Sequence, residues 1–247
     1  MQRYKLTVEY DGFGLVGWQR QKEGFSVQEI LETAVERFCG ARTTVLGAGR
    51  TDAGVHALAQ IAHVDLPRVF DPDEIRGALN FHMRPHAVAV LEVEPVDETF
   101  HARISARGRV YRYYILNRRA PPVLDRHRVW HVAAPLDAEA MAEAARHLLG
   151  KHDFSTFRDS LCQAKSPVKT LDGLSVTRQG ERIVIEARAR SFLHHQVRNI
   201  SGTLKLVGIG KWSPLHVKRA LEACDRRAGG PTAPADGLFL IEIVYGK

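Results

Sequence analysis

Gly47-Ala48-Gly49-Arg50-Thr51-Asp52-Ala53-Gly54-Val55-His56-Ala57 sets three glycines within eight residues around one arginine and one aspartate. Glycines at this density permit positive φ and let a ligand approach the backbone closely. No Gly-Lys-Ser/Thr follows, so the stretch is not a phosphate-cradling Walker loop. It also lacks GxGxxG spacing, and no dinucleotide-binding βαβ unit opens there. What remains is a tight turn presenting the carboxylate of Asp52 two residues from the guanidinium of Arg50. Turn chemistry alone also allows a structural role, in which Asp52 satisfies only backbone donors.

Outward from this turn the pattern is mixed. Alternation predicts a strand over 4–10, ended by Asp11-Gly12, and helical spacing predicts a helix over 27–38. That helix has Ser26 as N-cap, Glu29 at the capping-box position, and Val27, Ile30, Leu31, Ala34, Val35 and Phe38 as its core face. A strand over 57–66, a helix over 72–80 and a strand over 87–96 complete a first half. Residues 100–106 form the crossing. The second half reads as strands over 109–116 and 128–132 and a helix over 137–149. A hairpin follows, 168–177 with 181–189 around Arg178-Gln179-Gly180, then helices over 193–208 and 214–224 and a strand over 238–245. Strands and helices mixed in two similar halves without a sequence repeat indicate an α+β fold. The expected halves are 1–105, carrying the Asp52 turn, and 106–247.

The composition, 45% apolar and 26% charged, is that of a globular protein. No apolar run reaches bilayer length, and the chain starts directly in a strand-like alternation, so a cytoplasmic protein is expected. Cys39, Cys162 and Cys224 are far apart and form no CxxC pair. The twelve histidines show no HExxH spacing, and neither His194 with His195 nor His82 with His86 makes a metal site by spacing. No metal and no nucleotide cofactor are expected. The net charge of +7 suits a polyanionic partner, although surface ion-pair networks would account for it equally well.

GAGRTDAGVHA closely resembles the catalytic motif of the tRNA pseudouridine synthases of the TruA family. Five further stretches resemble that family's signatures in the same order: YDGFGLVGWQ, FHARISARGRVYRYYI, HDFSTFR with CQAKSPVKT, FLHHQVRNISGTLKLVG and APADGLFLIEIVY. The resemblance spans essentially the whole chain. Two small departures are Gln196, where the family generally has methionine, and residues 13–16, which differ from its threonine-aromatic pattern.

The resemblance implies the pseudouridine synthase fold, two sheet-plus-helix halves flanking a basic cleft with Asp52 at its floor. It implies Asp52 as the nucleophile of a covalent adduct, with attack on the base and on the sugar both open. Pseudouridine formation breaks the C1′–N1 bond, turns the uracil and joins C1′ to C5, a reaction without redox change or group transfer. Desolvation under a stacked base would disfavour an ionised carboxylate, and a guanidinium would restore it. Arg198 is the expected partner: it lies about 100° around the 193–208 helix from Val197 of the apolar stripe, with Gly202 one turn on leaving room for close approach. Strand alternation puts Tyr111 and Tyr113 on one face and Arg112 and Tyr114 on the other. Tyr111 is the expected substrate contact, through stacking or proton movement, whereas Tyr113 reads as core. Arg50 is expected to hold or replace the extruded nucleotide. His56, Arg103, Arg107, Arg109, Arg112, Arg158 and Lys165 are candidate phosphate or base contacts.

By the same resemblance the substrate is tRNA, modified at positions 38, 39 and 40 of the anticodon stem-loop, and the protein is a homodimer holding one tRNA across both subunits. The rival readings are a non-catalytic RNA-binding module of the same fold and a pseudouridine synthase acting on another RNA, such as ribosomal RNA. Intact Asp52, Tyr111 and Arg198 argue against the first.

Overall fold

The computed structural model describes residues Met1–Gly246. They form two compact units, Met1–Arg107 joined by the segment from Phe239 onward, and Gly108–Leu238.

The first unit is built on a sheet. Strand β1 (Gln2–Tyr10) buries Tyr4, Leu6, Val8 and Tyr10 at every second position. Helix α1 (Val27–Cys39) starts where Ser26 Oγ accepts the Glu29 N–H at 3.2 Å and ends at Gly40, whose φ of 70° needs no Cβ. Its buried face is Val27, Ile30, Leu31, Ala34 and Val35. Phe38 sits at the margin, 4.8 Å from the Phe70 ring. Next come the two-residue strand β2 (Leu46–Gly47), strand β3 (His56–Leu66), helix α2 (Pro72–His82), capped by Asp71, and strand β4 (Val88–Val96). β1 lies antiparallel between β4 and β3, and Leu46 of β2 pairs with His63 of β3.

The second unit starts from β5 (Ala106–Leu116), which pairs with β6 (Trp130–His131) and antiparallel with β9 (Arg182–Ala189). β9 pairs in turn with β8 (Val168–Gln179), through the two-residue turn Gly180-Glu181 in which Gly180 has φ 61°. The short strand β7 (Gly150–Asp153) extends the sheet on the far side of β8. Helices α3 (Ala138–Arg146), α4 (Gln196–Gly208) and α5 (Pro214–Glu222) pack with one another, and α3 also lies on β8.

The last strand, β10 (Leu238–Tyr245), was expected within a second half of 106–247. Its residues Phe239 and Leu240 pair parallel with β3, opposite His56 and Ala57. Tyr245 Oη donates to Ala102 O at 2.6 Å, tying the end of β10 to the first unit as well.

Candidate active site

The Gly47–Val55 segment leaves β2 and returns as β3, and it is fastened at both ends. The Ala48 N–H donates to Ile61 O at 2.7 Å, and Gln60 Nε2 donates to Gly49 O at 2.8 Å. Trp18 lies directly against Gly47, where a Cβ would come within 2.4 Å of the indole. At the far end the Val55 N–H donates to Asp52 O at 3.1 Å, closing a four-residue turn with Gly54 at φ 78°.

Between these ends, residues 50–52 lie outside any strand or helix. Thr51 is buried, at 7% exposure, whereas Arg50 is exposed and Asp52 half-buried. Of these three side chains only that of Thr51 is buried in the first unit. Residues 15–18 run alongside: the Trp18 N–H donates to Thr51 O at 3.1 Å and the Gly54 N–H donates to Leu15 O at 3.3 Å. Gly17 has φ 99°, and a Cβ there would meet Thr51 O at 2.5 Å. Gly12 is equally constrained, a Cβ falling 2.2 Å from Val55 O. These glycines let the Asp11–Trp18 segment lie against the Asp52 turn.

His56 is buried at 1% exposure. Its ring stacks on Phe239 at 4.4 Å, and Nδ1 lies 3.0 Å from both the Gly12 nitrogen and Asp11 Oδ1. It therefore stands beneath the turn as a brace rather than on the surface as a phosphate contact. Tyr10 is buried beside it in the same unit, its hydroxyl 2.8 Å from Thr51 Oγ1. Burial pushes the Tyr10 phenol up to about 12, against the hydrogen bonds of Thr51 and Gln60. The Tyr10 phenol is thus a neutral hydrogen-bonding group.

Arg50, Asp52 and His56 belong to the first unit; Tyr111, Arg109 and Arg198 belong to the second. On β5, Tyr113 is fully buried and its hydroxyl donates to Pro234 O at 2.8 Å, as a core residue should. Burial raises its pKa far above the ordinary value, with Arg198 partly offsetting that. Tyr111, on the same face two residues earlier, is half-buried and stands edge-on to Phe192 with ring centroids 5.2 Å apart. Arg109 Nη1 donates to Arg190 O at 2.6 Å. Arg112 lies opposite Glu186 in the β5–β9 register and donates to it at 2.7 Å, and Arg158 donates to the carbonyls of Cys162 and Ala164. Both arginines have structural partners that charge counting does not show. Arg103, Arg107 and Lys165 are exposed.

Arg198 is half-buried on α4, and its Nε donates to Ala233 O at 2.8 Å while the Ala233 N–H donates back to Arg198 O at 3.1 Å. The close approach that Gly202 permits is that of residues 231–233: a Cβ on Gly202 would stand 1.8 Å from Pro231 O. Asn199 and Thr203 secure the same segment. Asn199 Oδ1 accepts from Thr232 Oγ1 at 2.6 Å, and Thr203 Oγ1 accepts the Gly230 N–H at 2.9 Å. The helix begins later than its periodicity suggests. His195 sits in the left-handed region at φ 60°, and Gln196 Oε1 caps the turn by accepting the Leu193 N–H at 2.8 Å. Asp159 accounts for the adjacent histidines: His195 Nδ1 is 2.7 Å from its Oδ2 and His194 Nδ1 is 3.6 Å from its Oδ1. Burial works against the Asp159 carboxylate, but the Leu161 N–H and the His195 ring hold its pKa below the usual range.

Tyr10, Thr51 and Gln60 are the supporting residues that sequence reasoning missed. Strand alternation marks Tyr10 as buried, but no local signal names its partner 41 residues on.

A family model described as tRNA pseudouridine synthase matches residues 6–104 and 144–246. Over 245 residues, 99% of this chain, the sequence is 66% identical to the tRNA pseudouridine synthase A of Paramagnetospirillum magneticum, covering 96% of that protein. The proteins of the same description from Rhodospirillum centenum and Rhodospirillum rubrum are 64% and 59% identical over 99% of this chain, covering 100% and 88% of their own lengths.

Proposed function

This chain belongs to the tRNA pseudouridine synthase family, and on that premise we propose that it isomerises uridines at positions 38, 39 and 40 of the tRNA anticodon stem-loop through a covalent adduct with Asp52. It is an isomerase of the pseudouridine synthase fold. The observation that carries the proposal is the braced turn, which buries Thr51 between an exposed Arg50 and a half-buried Asp52.

The chemistry asks little of the protein beyond one nucleophile and a means of moving one proton. The C1′–N1 bond breaks, the freed uracil turns, C1′ bonds to C5, the C5 proton leaves and N1 takes one up. Asp52 bonds covalently to the base or to C1′, and that bond breaks when C1′ joins C5. Arg198 is the guanidinium that orients that carboxylate, with its Nε fixed by Ala233. Tyr111 contacts the uracil, and its phenol is the group assigned to the departing C5 proton. Arg50 serves extrusion of the target base. Arg109 contributes to RNA binding, and the buried His56 supports the turn. The active form is a homodimer that holds one tRNA and acts in the cytoplasm. Among the described residues no helix is long and apolar enough to cross a membrane.

The test is incubation of the purified protein with unmodified tRNA in the absence of added metal, followed by position-by-position mapping of pseudouridine. Conversion confined to positions 38–40 is expected. Conversion only in ribosomal RNA, or tight tRNA binding without conversion, would replace the reading with one of its two rivals.

A further inference from the structure

In the Asp52 turn Thr51 is buried between an exposed Arg50 and a half-buried Asp52. Thr51 Oγ1 meets Tyr10 Oη at 2.8 Å, both residues are buried, and Gln60 Nε2 reaches the same phenol at 3.5 Å while donating to Gly49 O at 2.8 Å. Tyr10 is the last residue of β1, its ring 6.3 Å from that of Trp18, and Gln60 lies within β3. Two strands of the sheet therefore hold the turn, β1 through Tyr10 on Thr51 and β3 through Gln60 on Gly49. Residues 50–52 lie outside any strand or helix, so the Thr51 anchor contributes directly to where its neighbours stand. The Trp18 N–H, donating to Thr51 O at 3.1 Å, holds the backbone at the same residue.

We propose that the Thr51–Tyr10 hydroxyl pair positions the catalytic turn, setting where Asp52 and Arg50 point without touching the RNA. The inference rests on the assignment of Asp52 as nucleophile. A displacement of about 1 Å at a reacting group can cost on the order of a hundredfold in rate. The hydroxyl pair thus acts on turnover more than on substrate affinity.

The experiment compares Thr51→Val, Thr51→Ser, Tyr10→Phe, the double variant Tyr10→Phe/Thr51→Val, and Asp52→Asn, measuring kcat, KM for tRNA and Tm for each. Valine keeps the shape of threonine but leaves the Tyr10 phenol only its long contact to Gln60. Phenylalanine keeps the ring but strands Thr51 Oγ1. Each single change should lower kcat by about 10- to 100-fold while KM stays near wild type, and serine, which keeps Oγ, should restore most of the rate. The double variant strands neither hydroxyl, so its Tm should recover toward wild type. Its kcat should stay as low as that of Thr51→Val. A kcat that recovers together with Tm would reduce the pair to a stability element. Wild-type kcat in a folded Thr51→Val or Tyr10→Phe protein would overturn the proposal, and either variant alone decides it if the other does not fold. Turnover by Asp52→Asn would instead refute the nucleophile assignment, so the two failures are distinguishable.

Discussion

Replacing Gly202 by alanine would drive a methyl group toward the carbonyl oxygen of Pro231. The added Cβ would lie 1.8 Å from that oxygen, 2.9 Å from its carbon and 3.2 Å from Ala233 N. Ordinary carbon–oxygen contacts are about 3.3 Å, so residues 231–233 would have to retreat by roughly 1.5 Å. The retreat would carry Ala233 O away from Arg198 Nε, now 2.8 Å distant, and strain the Ala233 N–H bond to Arg198 O. Overpacking costs about 1–3 kcal/mol, and weakening the arginine hydrogen bond adds about 1 kcal/mol. Better helix propensity returns about 1 kcal/mol. The net loss is roughly 2 kcal/mol, which for a chain of this size lowers Tm by about 4–8 °C. Thermal melts read the stability, and pseudouridine formation on tRNA reads the displacement of Arg198, which should cut turnover even well below Tm. A Gly202→Ala protein that melts higher than wild type and keeps full turnover would refute the reasoning, because helix propensity alone gives that result.

Arg50→Ala should lose most turnover on structured tRNA while the salt slope of binding stays near wild type, and the defect should shrink when the target uridine is already unpaired. Equal impairment on paired and unpaired targets, with a slope flattened by about one counterion, would make Arg50 a phosphate contact. Arg198→Lys should be impaired and Arg198→Ala more so, because lysine keeps the charge but not the planar fork that also holds Ala233. Wild-type activity of the alanine variant would remove Arg198 from the assignment. His63 is buried and lowered to about 4, chiefly by burial and then by Arg3 and His101, and its Nδ1 accepts the Ala102 N–H at 3.2 Å. Between pH 6.5 and 4 the unfolded chain binds a proton there that the folded chain refuses. Stability should therefore fall with falling pH, by at most about 1.4 kcal/mol per pH unit. Denaturant titrations of wild type and His63→Gln check this: the slope over that window should flatten in the variant, and parallel slopes would exclude His63 as its source.

Elements whose signal is local were legible in the sequence. Ser26 caps α1, the hairpin turns at Gly180, and β10 occupies 238–245, because capping, turn chemistry and alternation act over a few residues. Strands of two to four residues, β2 and β7, were not legible, since so few positions cannot display a period. The start of α4 moved because the left-handed His195 interrupts an apolar spacing that begins at Leu193. Pairings distant in sequence were invisible for the same reason: β10 with β3, Tyr10 with Thr51, and Arg112 with Glu186. Thr51 shows the limit within the motif itself, where the two charged residues announce a chemistry and the residue between them does not announce its brace. His56 belongs to the same motif, and its contacts with Gly12 and Phe239 are ones that the motif does not announce.

The account depends most directly on Asp52. Asparagine at this position preserves the shape of the side chain and removes its charge, so the braced turn should persist while the nucleophile is lost. The decisive measurement is pseudouridine formation by Asp52→Asn enzyme, purified from a host lacking any synthase for the same sites, alongside its tRNA affinity and Tm. Turnover should vanish while binding and melting hardly move. Measurable conversion by that protein would contradict the assignment of Asp52 as the nucleophile.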